Sequence, residues 1–181
     1  MRNPNDLFIS VTTDRFVVRT LSENDVTETY LSWFRDEAAV AHIRAAKSTQ
    51  TLDSLGVFVR DKQCDPRALL VGIFTREASV HIGNLKFEPI ETNSDATIIG
   101  VLIGDPTWRG KGAFREAFLA AAQRLFSLLG LRTFWLGVET NNRNAIEAYR
   151  KTGFVAQDVP PRCLYPVITP GVIYMCYQVG R

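Results

Sequence analysis

The stretch Gly104-Asp105-Pro106-Thr107-Trp108-Arg109-Gly110-Lys111-Gly112-Ala113-Phe114 closes one apolar run and opens another of different period. Upstream, Ala96–Ile103 reads as a buried strand. Downstream, Phe114, Ala117, Phe118, Ala121, Leu125 and Leu128 recur at helical spacing between Gly112 and Leu129, and Gly130 fits the position just past a helix end. Glycines in such a turn let backbone N–H groups approach a ligand closely. The first helical turn adds unpaired N–H donors at the positive end of the helix dipole. Two readings are open: a phosphate-binding turn, or a strand-to-helix connection that binds nothing.

Two familiar phosphate loops do not fit. A nucleoside-triphosphate P-loop needs four residues between its first glycine and Gly-Lys, then Ser or Thr. Here five residues separate Gly104 from Gly110, and Gly112 stands in place of the hydroxyl residue. A dinucleotide fingerprint needs G-x-G-x-x-G, but Arg115 occupies the third glycine's position.

Working outward, residues 1–14 read as a lead-in and Arg15–Arg19 as a short strand. Ser22 is an expected N-cap for a helix carrying Val26, Tyr30, Leu31 and Phe34. Ala38–Arg44 is expected as a second short helix, and Thr51-Leu52-Asp53-Ser54 starts a third. Ala68–Phe74, Val80–Phe87 and Ala96–Ile103 suggest an antiparallel meander. Past the long helix come a strand at Thr133–Val138, a helix at Asn142–Lys151 closed by Gly153, and strands at Phe154–Ala156 and Val172–Val179. The pattern predicts one α/β (α+β) domain over residues 1–181, with helices flanking the sheet.

Arg109-Gly110-Lys111-Gly112-Ala113-Phe114 resembles the Q/R-x-x-G-x-G/A motif of the GNAT N-acetyltransferase superfamily, and Asp105-Pro106-Thr107-Trp108 looks like that family's strand exit. A second segment, Asn142 to Phe154, resembles the family's N-x-x-A-(I)-x-x-Y-x-K-x-G-F motif nearly residue for residue. By itself that segment is an amphipathic helix with an Asn N-cap, core-side Ile146 and Tyr149, and a Gly C-cap. The resemblance implies a mixed, mostly antiparallel sheet of about six or seven strands, splayed at an acetyl-CoA site. It further implies that the turn Arg109, Gly110, Lys111, Gly112, Ala113, Phe114 and Arg115 binds the CoA pyrophosphate without a metal. Backbone at Leu102, Ile103 and Gly104 would polarise the acetyl carbonyl, Asn142 would hydrogen-bond the CoA arm, and Tyr149 would protonate the departing thiolate. Phe114 departs from the motif's small final residue, so its side chain must point away from the phosphates.

Composition is that of an ordinary soluble globular domain. Of 181 residues, 46% are hydrophobic and 22% charged, and the net charge of +2 carries no basic stripe, which argues against nucleic acid. Cys64, Cys163 and Cys176 lack CxxC spacing, and His42 and His81 are too few for a zinc site, so no metal is expected. A polar N-terminus and no run of about eighteen apolar residues predict no membrane span and a cytoplasmic location. A homodimer is compatible with this reading.

The implied reaction is attack of a neutral amine on the thioester in a ternary complex. A lysine-like amine, with pKa about 10.4, is neutral only about once in 10³ molecules at pH 7, a cost of roughly 4–5 kcal/mol. N-terminal acetyltransferases of the superfamily often place a glutamate twelve residues before the tyrosine, where this chain has Gly137. Glu88, Asp105, Glu139 and His81 are the remaining candidates for a base. Tyr30-Leu31-Ser32-Trp33-Phe34 with Asp36 resembles the Y-L-x-W-x-x-D segment of amino-sugar members, although helix packing alone would account for it. The acceptor expected is therefore a small amine, with a nucleotide-linked amino sugar slightly preferred. Protein N-terminal acetylation and a non-catalytic acyl-CoA-binding domain are the alternatives.

Overall fold

The strand, glycine turn and helix expected around residue 110 are present, and the sheet extends to both sides of them. The computed structural model describes residues 7–40 and 49–180. β5 (Ala96–Ile103) runs into the turn, α4 (Ala113–Leu129) carries the chain back, and β6 (Thr133–Glu139) returns parallel to β5. A parallel neighbour requires such a crossover. Upstream lie β1 (Ser10–Thr12), β2 (Phe16–Thr20), α1 (Glu28–Ser32), α2 (Glu37–Val40), α3 (Leu52–Cys64), β3 (Leu69–Thr75) and β4 (His81–Glu91). Downstream lie α5 (Arg143–Thr152), β7 (Val155–Gln157) and β8 (Val172–Gln178). The 8-stranded sheet has the order β1-β2-β3-β4-β5-β6-β8-β7, and only the β5–β6 pair is parallel.

Both faces of the sheet are covered. Leu69, Val71 and Ile73 of β3 join a core with α4, while Leu70 and Phe74 join a second core with α1 and α3. Two covered faces explain why β3 is apolar at consecutive positions instead of alternating. On α4, Ala113, Phe114, Ala117, Phe118, Ala121, Ala122 and Leu125 are buried. Gly130 ends the helix at φ 75°, its N–H donating to the Phe126 carbonyl at 2.9 Å. That left-handed residue is the reason a glycine stands there.

Two expectations are corrected, and a third falls partly outside the described residues. Residues 1–14 are not only a lead-in: Ser10, Val11 and Thr12 pair with Arg19, Val18 and Val17 as β1, so the sheet has one strand more than expected. A Ser-Val-Thr edge strand has no apolar run to announce it. Ser22 caps only a short 3-10 turn at Glu23–Asp25, through hydrogen bonds to Asp25, whereas Thr27 caps α1 by accepting from Tyr30 N–H at 3.3 Å. The helix expected at Ala38–Arg44 is seen as Glu37–Val40, and residues 41–44 fall outside the described ones.

The ladder between β5 and β6 is short. Ala96 pairs with Thr133, Thr97 with Phe134 and Ile98 with Trp135, and the pairing stops there. β5 continues to Ile103 on β4 alone, and β6 continues to Glu139 on β8 alone. The two strands therefore part on the side of the sheet that leads to the glycine turn.

Candidate active site

The turn is shaped from within. Asp105 Oδ1 accepts from Thr107 N–H at 2.8 Å and Thr107 Oγ1 at 2.7 Å, capping a 3-10 turn over Pro106–Trp108. Gly110 and Gly112 follow at φ 72° and 76°, a region that L side chains rarely adopt. A Cβ at Gly110 would meet nothing within 4 Å, so the glycine is required by backbone conformation and leaves the space open. The first intrahelical bond of α4 runs from Glu116 N–H to the Gly112 carbonyl at 3.2 Å. The N–H groups of Ala113, Phe114 and Arg115 precede it and form the donor end of the helix.

Two turn residues behave differently. Arg109 and Lys111 spend their N–H groups on the Pro106 and Trp108 carbonyls, at 3.3 and 3.4 Å. The Arg109 guanidinium is a strut: Nε donates to the Ile103 carbonyl at 2.9 Å, and Nη2 to the Gly104 carbonyl at 2.6 Å and to Asp36 Oδ2 at 2.7 Å. Trp33 lies directly over Gly104, where a Cβ would fall 1.9 Å from its Cδ2 atom. The segment from Trp33 to Asp36 is thus fastened to the root of the turn. From the other side, Arg15 bonds Glu116 through Nε at 2.7 Å and the Lys111 carbonyl through Nη1 at 3.0 Å. These contacts join residues far apart in the chain, and no local signal announces them.

β5 presents its backbone to the gap in alternation. Gly104 N–H donates to the Ile82 carbonyl of β4 at 3.0 Å. Successive peptide groups of a strand point to opposite sides, so the Leu102 N–H also faces β4, and those of Val101 and Ile103 face the gap. Among Leu102, Ile103 and Gly104, the donor aimed at the opening is Ile103.

α5 packs against α4, the helix that opens at the glycine turn. Asn142 caps α5, Oδ1 accepting from Ala145 N–H at 3.2 Å, which leaves the amide NH₂ for another partner. Gly153 closes it at φ 108°. Tyr149 packs edge-on against Phe114, with ring centroids 5.2 Å apart and planes at 78°. Burial pushes the Tyr149 phenol up to about 12, so at neutral pH it holds its proton. Phe114, only 8% exposed, packs its ring into the core against Phe118, Tyr149 and Phe154.

The four candidate bases are scattered. Glu88 bridges Lys62 at 2.5 Å and Lys86 at 2.8 Å; burial would raise its pKa, but the two ammonium groups hold it below the ordinary value. His81 sits among Tyr30, Trp33 and Phe74, its Nε2 2.7 Å from Asn84 Oδ1, and burial lowers its pKa. Asp105 is occupied as the cap of its own turn. Glu139 ends β6, where its carbonyl accepts from Asn142 N–H at 3.0 Å. At Gly137 a Cβ would lie 3.0 Å from Val172 Cγ1, too close for a side chain unless Val172 gives way. Among the described residues, no group of three or more His, Cys, Asp or Glu side chains is placed to hold a metal ion.

Residues 15–155, which carry both the turn and α5, match the family model of the acetyltransferase (GNAT) domain. The chain belongs to the GNAT acetyltransferase family. It is an acetyl-CoA-dependent N-acetyltransferase, and its turn and gap fit that co-substrate. The open space at Gly110, the donor end of α4 and the unpaired edge of β5 are what a pyrophosphate and an extended amide-bearing arm would meet. Solved structures share the GNAT fold at low identity. A ribosomal L7/L12 alpha-N-protein acetyltransferase in complex with coenzyme A superposes with a TM-score of 0.77 at 15% identity, over 94% of this chain and 98% of that one. Spermidine N-acetyltransferase from Vibrio cholerae, in complex with CoA and spermine, gives 0.73 at 18% identity over 92% and 96%. The microcin C7 self-immunity acetyltransferase, in complex with acetyl-CoA and AMP, gives 0.76 at 15% over 92% and 94%. No curated protein matches the GNAT chain in sequence. No helix of its described residues is long and apolar enough to cross a membrane.

Proposed function

We propose that the enzyme transfers the acetyl group to a small primary amine by direct attack in a ternary complex, with a nucleotide-linked amino sugar as the preferred acceptor. The observation that carries the catalytic assignment is Tyr149, a half-buried tyrosine packed on Phe114 beside the turn and protonated at neutral pH. In the reaction the amine nitrogen forms a bond to the acetyl carbon and the C–S bond breaks. The Tyr149 hydroxyl gives its proton to the departing sulfur, the amine releases its own proton to water, and the phenolate regains a proton from water. The Ile103 N–H, facing the gap, stabilises the charge that develops on the acetyl oxygen. The N–H groups of Ala113, Phe114 and Arg115 hold the pyrophosphate, and Asn142 donates its amide to the arm.

The acceptor side of this proposal rests on the segment from Trp33 to Asp36, tied to the turn through Gly104 and Arg109. Protein N-terminal acetylation is the second reading. The chain has Gly137 where N-terminal acetyltransferases of the superfamily often carry a glutamate, and that favours the first.

The test is release of free CoA thiol from acetyl-CoA with a panel of amines: nucleotide-linked amino sugars, polyamines and short peptides. Products are identified by mass spectrometry. An acetylated amino sugar is the expected result, and an acetylated peptide N-terminus would move the assignment to the second reading. Thermal stabilisation by acetyl-CoA with no turnover across the panel would mark a non-catalytic acyl-CoA-binding domain. Tyr149→Phe should lower turnover by a factor of about 10²–10³ at unchanged acetyl-CoA affinity; a wild-type rate would remove it as the acid.

A further inference from the structure

Phe114 occupies two environments at once. Its N–H belongs to the unpaired first turn of α4, which follows Gly112. Its ring lies in the core, stacked on Phe118 at 5.5 Å and 19° and edge-on to Tyr149 at 5.2 Å and 78°. Phe154 closes the group, 6.4 Å from Phe114 and 5.8 Å from Tyr149, and its N–H donates to the Tyr149 carbonyl at 3.0 Å. The Tyr149 ring is thus flanked by two phenylalanines, one from its own helix end and one from the helix that opens at the glycine turn. Rings in edge-to-face contact resist rotation of either partner, because the attraction depends on their relative orientation.

We propose that Phe114 is a positioning residue for the transfer. Its ring fixes the plane of Tyr149 against the first turn of α4, so one residue aims the phenol with its side chain and contributes to the phosphate grip with its backbone. This rests on the assignment of Tyr149 as the leaving-group acid. A small residue here would keep the N–H but leave the tyrosine ring unbraced on that side. Because substitution changes only the side chain, it should separate aim from grip: turnover falls while acetyl-CoA affinity holds. A misplacement of the acid by a fraction of an ångström is enough for a large rate effect.

The experiment compares wild type, Phe114→Leu, Phe114→Met, Tyr149→Phe and the two double variants. Each is read as CoA thiol release with a mixed panel of spermidine, a nucleotide-linked amino sugar and a serine-initiated peptide, alongside acetyl-CoA affinity by calorimetry. Leu and Met are both used so that one packs and folds if the other does not, and melting temperatures identify the folded variants. Turnover in the single Phe114 variants is expected to fall about tenfold with the acetyl-CoA dissociation constant within twofold of wild type. In the Tyr149→Phe background the same substitutions should change turnover less than twofold. An equal tenfold fall in both backgrounds would overturn the proposal, since Phe114 would then act independently of the phenol. A wild-type rate in Tyr149→Phe would instead overturn the acid assignment. Independently of turnover, ring NMR resonances of Tyr149, assigned by their loss in Tyr149→Phe, should show a ring-current shift that Phe114→Leu changes, leaving only the contribution of Phe154. An unchanged shift would refute the brace.

Discussion

Replacing Gly104 by alanine places a methyl group where the Trp33 indole already stands. The new Cβ would lie 1.9 Å from Trp33 Cδ2 and 2.3 Å from Cγ and Cε3. Ordinary carbon contacts begin at about 3.5 Å, so one partner must move by about 1.6 Å. Neither is free to do so. Trp33 is 4% exposed and held by the rings of Tyr30 at 5.2 Å and His81 at 4.8 Å, and the Gly104 backbone is bonded to Ile82 and Arg109. Overpacking of this kind costs about 1–3 kcal/mol, and the rigid surroundings place Gly104→Ala near 3. For a domain of this size that is a fall in Tm of about 6–12 °C. Differential scanning fluorimetry and urea titration on the single variant and on Gly104→Ala/Trp33→Leu provide the assay. With the indole gone, alanine should cost under about 1 kcal/mol relative to Trp33→Leu alone. If the penalty of the alanine were the same in both backgrounds, the contact between indole and turn would not be its cause.

Three further outcomes are expected. Gly112→Ala has room for its methyl group, with only Arg15 Nη2 at 3.7 Å, so it pays only the left-handed backbone strain of about 1–2 kcal/mol; calorimetry should show weaker acetyl-CoA binding, and unaltered affinity and stability would contradict the conformation. Arg109→Ala removes three hydrogen bonds and should lower stability by about 2 kcal/mol in urea titration while leaving acetyl-CoA affinity nearly intact, whereas lost affinity at full stability would mean that the guanidinium grips the cofactor. Burial alone would raise the Asp25 pKa, but hydrogen bonds from Arg19 and Ser22 bring it down from 3.8 to about 2. The folded value is the lower one, so this stability is present above pH 3.8 and disappears as pH falls toward 2. After allowance for solvent screening it amounts to about 1 kcal/mol, and Asp25→Asn should flatten that part of the stability curve measured by urea midpoints.

The long-period features were legible. α4 and α5 carry apolar faces, caps and terminal glycines within their own residues, and the two motifs they contain are local, so they read correctly from the chain. β1 was not legible, since Ser10, Val11 and Thr12 become a strand only because β2 offers an edge. Thr27 and Ser22 are both good caps by sequence, and which one caps α1 depends on where Tyr30 and Leu31 find their core. At the site, the strand, glycine turn and helix were legible, but the contacts of the Arg109 side chain were not. Its partners include Asp36, and a contact between residues so distant leaves no mark on either segment. Phe114 was the reverse case: a departure from a motif, visible in sequence, whose meaning lay in a ring on another helix.

The short β5–β6 ladder has a mechanical consequence. Three ladder pairs, with the Arg132 and Thr133 N–H groups donating to the Asp95 carbonyl at one end, stitch the panel β1-β2-β3-β4-β5 to the panel β6-β8-β7, while α4 and its phenylalanines lie across the seam. Resistance to opening along that seam therefore comes from side-chain packing, not from the ladder, and the amides of Val101 and Ile103 have no strand to shelter them. In hydrogen exchange the two should lose protection long before their neighbours on β4, and whatever lodges in the cleft acts as a keystone that slows them.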